Sequence, residues 1–208
     1  MSVELEDQLR RLCAVGASAV GAGLVLASGG NLSVRSGSGL AVTGKGTWLD
    51  TLTPEQFAVL EMDGTSRGGP PASSEWKLHA RVYQARPDVN AVVHIHPQFT
   101  LLLTSLGHKV RFITQDHAFY VGSYGYTKYY TNGSDELADT AADQLASGEH
   151  NVVVLGNHGI CAVGDTIEAA YRRALNMEEA AKLTYHALLL GDRDTVFPAE
   201  ELEKLRHA

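Results

Sequence analysis

The chain has 208 residues, a formal net charge of −7 at pH 7 and a pI of about 5.7. This length is sufficient for one well-buried core, and nothing in the composition requires a second domain. The acidic balance, with no run of Lys or Arg longer than a pair, argues against nucleic acid and anionic membrane surfaces as partners. An anionic substrate must therefore bind in a local pocket.

The first predicted element is a helix over residues 2–27, with Leu5, Leu9 and Leu12 on one stripe. Residues 13–27 carry no charge, but this stretch is short for a membrane span, which needs roughly 20 apolar residues. Acidic residues precede it, where a signal peptide would have positive charge. We therefore interpret this segment as a buried helix.

The remaining elements alternate between strands and helices. Strands are predicted at residues 31–35, 40–43, 57–62, 91–96 and 111–114, and on both sides of residue 158. Helices are predicted from Ser73 or Ser74 to 85, at 97–106, from Ser134 or Asp135 to 148, and from an Asp165 cap to Gly191. A polar loop is expected at 65–72. The chain is expected to form one α/β domain over residues 1–208, with a central mainly antiparallel or mixed sheet flanked by helices, a core at about 5–190 and a polar tail at 192–208.

Three histidines follow short apolar runs. His94 and His96, in AVVHIHP, end a predicted strand, and residues two apart on a strand project from the same face. His158 lies in the turn GNHG after a second run. Three neutral imidazoles would bind a divalent metal and leave one coordination position open, as in catalytic sites. The alternative is a set of hydrogen-bonded core histidines, but the proline and glycines beside these histidines favour the metal site.

Three polar turns accompany the histidines. PASSE places two hydroxyls and Glu75 at a predicted helix start, where free N–H groups favour an anion, although simple capping is the alternative. The second turn is GGNLS and the third is TGKGT. The third completes a GxxxxGK pattern, but Gly46 stands where a nucleotide P-loop needs Ser or Thr, which excludes ATP or GTP binding. Lys45 could still hold a small anion.

Two further candidates remain open from the residues alone. His79 lies four residues after Glu75, on the same helix face, where it either supports the site or packs in the core. The run Gln115-Asp116-His117, followed by Tyr120, is polar and aromatic, and it could supply a proton donor or acceptor.

Taken together, GGNLSVR, TGKG, PASSEW, HIHP and NHG, in this order and spacing, resemble the class II aldolase/adducin family over about residues 5–190. The resemblance implies that His94, His96 and His158 bind Zn²⁺, with Mn²⁺ or another divalent metal as the alternative. It also implies that Glu75 acts as the catalytic acid/base.

The resemblance extends to the substrate and the assembly. It implies a phosphate pocket formed by Gly30, Asn31, Lys45, Gly46, Ser73 and Ser74. It also implies a small phosphorylated sugar as substrate and a homotetramer with active sites between subunits. The sequence departs from the family at Lys45, where Thr or Ser is usual, and near Gln115, where the family has a protonating tyrosine. Asp116, His117 and Tyr120 are the candidates to replace that tyrosine, and we expect Asp116 and Tyr120 to act with Glu75 in catalysis.

The leading hypothesis is a zinc-dependent aldolase. It would cleave a small phosphorylated ketose to dihydroxyacetone phosphate and an aldehyde through a metal-stabilised enediolate. A sugar-phosphate 4-epimerase, a decarboxylase and a dehydratase of the same fold are alternatives. An adducin-like binding module would be expected to lose metal ligands that are retained here, and a metallohydrolase would leave the anion pocket without a purpose. Cys13 and Cys161 fit buried free thiols, which predicts a cytoplasmic protein.

Overall fold

The computed structural model describes residues 2–26 and 28–206. Its strands, in chain order, are β1 (Asn31–Ser36), β2 (Gly39–Thr43), β3 (Phe57–Glu61), β4 (Ser66–Gly68), β5 (Ala91–Ile95), β6 (Gly125–Thr127), β7 (Val152–Leu155) and β8 (Gly159–Gly164). They form one sheet in the order β4-β3-β2-β1-β5-β8-β7-β6. Neighbouring strands are antiparallel except for β6 and β7, which are parallel. The predicted mixed sheet is therefore confirmed.

Helices cover both faces of this sheet. They are α1 (Val3–Gly21), α2 (Trp76–Ala85), α3 (Gln98–Ser105), α4 (Gln115–Tyr120), α5 (Asp135–Leu145), α6 (Ile167–Leu189) and α7 (Ala199–Arg206). Two 3-10 helices lie at Leu49–Thr51 and Pro54–Gln56. Among the described residues, no helix combines the length and the apolar character needed to cross a membrane.

Strand β5 shows how the sheet separates two cores. Val93 and Ile95 belong to the apolar cluster that includes residues of α1 and α6, whereas Val92 belongs to the cluster that includes residues of α2 and α5. Since successive side chains of a strand point to opposite faces, His94 projects toward the α2 side together with Val92. The strand thus ends with a polar ring between the sheet and the start of α2.

The sequence predictions for two segments of the sheet are wrong. The predicted loop at 65–72 contains the short edge strand β4, which pairs with β3. The predicted strand at 111–114 does not form. The Arg111 N–H instead donates to Thr184 Oγ1 of α6 at 2.9 Å, and the Phe112 carbonyl accepts from the Phe197 N–H at 2.7 Å. The backbone of this segment is therefore satisfied by a helix and by the C-terminal tail.

Helix ends also depart from the predictions. Helix α1 stops at Gly21, and Gly23 follows with φ +72°; residue 27, where the helix was expected to end, lies outside the described residues. The cap of α6 is Thr166, whose Oγ1 accepts from the Ala169 N–H at 3.1 Å, and not Asp165. Helix α2 begins after Glu75 and not after a serine cap, and the Glu75 side chain makes no capping hydrogen bond.

Candidate metal centre and active site

Strand pairing places His94. Its strand, β5, lies between β1 and β8, and His94 is opposite Asn31 on one side and Cys161 on the other. The His94 Nδ1–H donates to the Ile160 carbonyl at 2.9 Å. This bond leaves Nε2 facing Glu75 and His96. Backbone carbonyls commonly orient metal-binding imidazoles in this way.

A tight turn places His158. The pairing of Leu155 with Gly159 leaves a three-residue turn between β7 and β8, and the His158 N–H donates to the Leu155 carbonyl at 3.0 Å. Asn157 adopts φ 54°, a left-handed conformation that Asn tolerates better than most residues. A Cβ on Gly159 would lie 2.6 Å from the Ile95 carbonyl oxygen and 2.9 Å from His94 Cε1. Only glycine fits between these groups.

Glu75 stands at the start of α2 and is 3% exposed. Its Oε2 lies 3.1 Å from His94 Nε2 and accepts from Asn31 Nδ2 at 2.9 Å. Its Oε1 lies 3.3 Å from His158 Nε2, and within the described chain it has no hydrogen-bond partner. The carboxylate therefore faces the histidines and does not cap its own helix.

The predicted ligands converge. Glu75, His94, His96 and His158 each offer one ligand atom, and these four atoms lie within 4.8 Å of one another. The Nε2 atoms of His96 and His94 are 3.1 Å apart, and the ring centroids of the three histidines are 4.9 to 5.2 Å apart. The expectation that these imidazoles meet is confirmed by this geometry.

Burial and charge set the protonation of the cluster. Burial, together with the charge of His94, lowers the pKa of His96 to about 3 and that of His158 to about 4. Burial would lower the pKa of His94, but the carboxylate of Glu75 raises it above its usual value. Burial would likewise raise the pKa of Glu75, but the neighbouring histidines lower it well below its usual range. The site therefore holds two neutral imidazoles and an ionised carboxylate near neutral pH.

The residues fit a divalent metal. Three imidazole nitrogens and one carboxylate form a donor set that Zn²⁺ and similar ions prefer. One buried oxygen of the set, Glu75 Oε1, lacks a hydrogen-bond partner among the described residues. Buried polar atoms are rarely left unpaired, and a bound ion is one explanation for such atoms.

The three polar turns lie side by side at this centre. The Ser73 N–H donates to the Thr43 carbonyl at 3.0 Å, and the Lys45 N–H donates to the Pro71 carbonyl at 2.9 Å. With the bond from Asn31 to Glu75, these contacts join the GN, GKG and SSE turns. Ser73 is buried, whereas Lys45 is exposed. The residues predicted for the anion pocket, Gly30, Asn31, Lys45, Gly46, Ser73 and Ser74, all belong to these turns.

Comparison with known proteins agrees with this site. The Class II Aldolase and Adducin N-terminal domain family matches residues 10–185. This chain belongs to that family. Membership indicates an enzyme of the aldolase/lyase type. Class II aldolases use a divalent metal, and the cluster of Glu75 and three histidines is where such an ion could bind in this chain.

Individual relatives in the class II aldolase family differ in reaction. An L-fuculose phosphate aldolase of Methanocaldococcus jannaschii is 33% identical over 80% of this chain and 89% of its own. A 5-methylthioribulose-1-phosphate/5-deoxyribulose-1-phosphate aldolase of Rhodospirillum rubrum is 34% identical over 88% and 82%. A 3-oxo-tetronate 4-phosphate decarboxylase of Haemophilus influenzae is 30% identical over 78% and 80%. A solved L-fuculose 1-phosphate aldolase superposes with a TM-score of 0.84, at 29% identity, over 98% and 94%.

In this chain, the residues of α4 lie apart from the metal centre. Asp116 is exposed and lines a surface cavity of about 550 Å³ with Gln115, His117, Asn176 and Glu179. The guanidinium of Arg172 stacks over the Tyr120 ring, 5.0 Å from its centroid. Among the described residues, no hydrogen bond or ion pair joins Asp116 or Tyr120 to the four ligands, so these two side chains do not complete the site within one chain.

Sequence reasoning missed two groups that support the ligands. The Glu178 carboxylate of α6, 2% exposed, accepts from the N–H groups of Phe99 and Thr100 and from Thr100 Oγ1 at 2.8 to 2.9 Å. It thereby binds the first turn of α3, directly after His96. The second group is Ser33 and Tyr83, which are hydrogen-bonded to each other and, through Ser33, to His79. For Glu178 the chain gave no local signal, because its partners lie about eighty residues away.

Proposed function

We propose that this protein is a metal-dependent aldolase that cleaves a small phosphorylated ketose to dihydroxyacetone phosphate and an aldehyde. The observation that carries the proposal is the buried Glu75 carboxylate among three imidazoles, with Oε1 free of hydrogen bonds in the described chain. The two aldolases described above, similar over at least four fifths of this chain, support the class of substrate.

His94, His96 and His158 would hold the metal, with Zn²⁺ as the ion that best matches the donors. When bound, the ion supplies a Lewis acid that polarises a carbonyl and stabilises negative charge on the adjacent carbon. The chain prepares this site by fixing His94 through the Ile160 carbonyl and by leaving no room beside Gly159.

Glu75 would move the proton at carbon. In the direction of cleavage, the carboxylate first takes up one proton, matching the one that the substrate hydroxyl loses, and passes it to the carbon from which the aldehyde half departs. In the direction of synthesis, the ionised carboxylate removes that proton from carbon. Oε1 suits this role because it faces the cluster without a hydrogen-bond partner among the described residues, while Oε2 remains bound to Asn31. Positioned acids and bases of this kind contribute about 10²- to 10⁴-fold to rate.

The anion pocket would position the substrate. We assign the phosphate to Gly30, Asn31, Lys45, Gly46, Ser73 and Ser74, in the three turns that lie beside the metal centre. A phosphate held there fixes the distance of the reacting carbons from Glu75, and such positioning lowers the entropic barrier of the reaction. Lys45 would add a positive charge that screens the phosphate in an otherwise acidic protein.

Asp116 or Tyr120 would handle the proton of the hydroxyl on the aldehyde half. Both lie on α4, away from the metal centre of their own chain, and Asp116 is exposed. We therefore propose that they act in the site of a neighbouring subunit, in a homotetramer. No membrane or nucleic acid partner enters this proposal, and we place the enzyme in the cytoplasm.

The decisive experiment combines a substrate panel with one substitution. The purified protein, loaded with Zn²⁺, is incubated with ketose 1-phosphates, and release of dihydroxyacetone phosphate is measured. Glu75→Gln should retain metal and lose activity by about 10²- to 10⁴-fold. Glu136→Gln, an exposed carboxylate in the first turn of α5, is the matched control. Equal activity of Glu75→Gln and wild type would overturn the role of Glu75.

A decarboxylase is the second candidate. The relative from Haemophilus influenzae supports it. A second support is the family resemblance, in which the protonating tyrosine of the aldolases aligns near Gln115. Turnover of a 3-oxo acid phosphate, with no dihydroxyacetone phosphate released from any ketose, would favour this reaction over the aldolase.

A further inference from the structure

A buried chain of hydrogen bonds reaches the Glu75 carboxylate from the core. The Tyr83 hydroxyl lies 2.8 Å from Ser33 Oγ, and Ser33 Oγ lies 2.6 Å from His79 Nδ1. His79 Nε2 is hydrogen-bonded to Asn31 Oδ1, and Asn31 Nδ2 donates to Glu75 Oε2 at 2.9 Å. These five side chains come from β1 and from α2 with the residue at its start, elements that are brought together by the fold and not by local sequence.

The direction of each hydrogen bond follows from the end at Glu75. An ionised carboxylate only accepts, so Asn31 must present its NH₂ group there and its carbonyl oxygen to His79. A carbonyl oxygen also only accepts, and His79 must therefore carry its proton on Nε2. Nδ1 is then an acceptor for the Ser33 hydroxyl, whose oxygen in turn accepts from Tyr83. One arrangement of protons satisfies all the groups.

The surroundings keep this arrangement in one state. His79 and Ser33 are fully buried, and Tyr83 and Asn31 are 1% and 4% exposed. Burial lowers the pKa of His79 to about 3, so the ring is neutral at working pH. Burial also raises the pKa of Tyr83, which keeps its hydroxyl a donor. Water and charge therefore do not compete for these bonds.

We propose that His79 is a positioning residue of the active site. Its Nε2–H fixes the Asn31 carboxamide in the orientation that supplies a donor to Glu75, and Ser33 and Tyr83 fix the tautomer of His79. If the amide rotated by half a turn, its oxygen would face the carboxylate and repel it. The proposal rests on the proposed function only in taking Glu75 as the group that moves the proton.

The consequence is a division of work between the two carboxylate oxygens. Oε2 remains bound to Asn31, so the orientation of the carboxylate is set by His79 from behind. Oε1 remains directed toward His158, where the metal and the substrate would bind. Loss of His79 should therefore reduce the rate of the chemical step more than the binding of substrate. The Glu75 carboxylate would stay beside the metal site, but Asn31 would no longer hold it in one orientation.

Kinetics of two substitutions test the positioning role. His79→Leu removes both ring nitrogens at similar volume, and it should lower kcat by about 10- to 100-fold with KM and metal content close to those of wild type. His79→Gln keeps an N–H donor where Nε2 stood and should recover most of the loss. Val82→Ala, a deletion in the core on the same helix, is the control for destabilisation without loss of the chain of bonds.

Imidazole ¹⁵N spectra of the wild-type holoenzyme test the tautomer without any substrate. One ring, absent from the His79→Gln spectrum, should show a protonated Nε2 and an unprotonated Nδ1, unchanged between pH 5 and 9. The Asn31 side-chain NH₂ should exchange slowly with solvent and become fast in His79→Leu. If wild type cleaves no sugar phosphate, the proposed function fails while these spectra still decide the proposal. A charged ring, an Nδ1–H tautomer, or equal kcat in His79→Leu and Val82→Ala would overturn it.

Discussion

The metal centre and helix α4 both carry polar residues of catalytic type, but the chain holds them by different means. Pairing of β5 with β8 and a three-residue turn fix His94 and His158. Helix α4 has only six residues and depends on packing against α6 and α7. The first region is therefore positioned by regular backbone geometry, and the second by tertiary contacts and, as we propose, by a second subunit.

The largest expected effect comes from breaking the metal centre itself. His94→Ala removes the buried ring at the centre of the cluster, 3.1 Å from both Glu75 Oε2 and His96 Nε2. We expect the purified variant to contain almost no metal and to lose essentially all turnover, because the remaining ligands are no longer held together. Elemental analysis and activity of the same preparation measure this.

The matched control is His150→Ala. His150 Nδ1 is hydrogen-bonded to Ser123 Oγ at 2.8 Å, outside the ligand cluster. It should keep both metal and activity. Equal metal content in His94→Ala and His150→Ala would contradict the ligand assignment.

The second prediction concerns the role of α4. Asp116→Asn should lower kcat by about 10²-fold while metal content stays at the wild-type level, since Asp116 does not contact the cluster. Mixing this variant with Glu75→Gln, after dissociation and reassembly, should restore activity, because some sites then receive an intact group from each subunit. If each pure variant is inactive and the mixture remains so, the two groups do not meet across an interface.

The contrast between the regions also explains what sequence could predict. The period of two along a strand was enough to bring His94 and His96 together, and the glycines around His158 indicated a tight turn. The bond from Asn31 to Glu75 joins residues 44 positions apart, and no local pattern predicts it. Motif resemblance placed both residues in the site but not in contact.

The prediction of a strand before α4, at residues 111–114, is wrong for the same reason. Residues 111–114 have a composition suited to a strand, but a strand needs a neighbour in the sheet. Here the backbone finds its partners in Thr184 of α6 and Phe197 of the tail. Tertiary context thus decides structure where local preference is weak. The edge strand β4 is the opposite case, since a polar sequence became a strand because β3 offered a free edge.

The third prediction sharpens the idea that backbone geometry fixes the ligands. Gly159→Ala places a methyl group against the Ile95 carbonyl and the His94 ring, so the hairpin must shift. We expect metal affinity to fall by about 10- to 100-fold, measured by competition with a chromogenic chelator. Gly21→Ala at the end of α1 is the control, because its Cβ would contact nothing within 4 Å. Unchanged affinity in Gly159→Ala would mean that the turn does not hold the ligands.

The fourth prediction concerns protons. The pKa of His94 is raised beside Glu75, whereas those of His96 and His158 are lowered to about 3 and about 4. Between about pH 4 and the raised pKa of His94, a metal ion must therefore displace one proton, and above that pKa none. Affinity should fall about tenfold per pH unit on the acidic side and level off on the alkaline side. Calorimetry in buffers of different ionisation enthalpy should count one released proton; a count of two or more would contradict these shifts.

The smallest expected effect tests Lys45, which belongs to neither region. Its side chain is exposed, so solvent screens its attraction for a phosphate, and exposed ion pairs contribute about 0.2 to 1 kcal/mol. Lys45→Met should therefore raise KM by about fivefold at most, leave kcat unchanged, and lose its effect at high salt. Lys109→Met, also exposed, is the control. A fall in kcat with constant KM would instead place Lys45 at the reacting carbons, and the polar turns would then serve catalysis as well as binding.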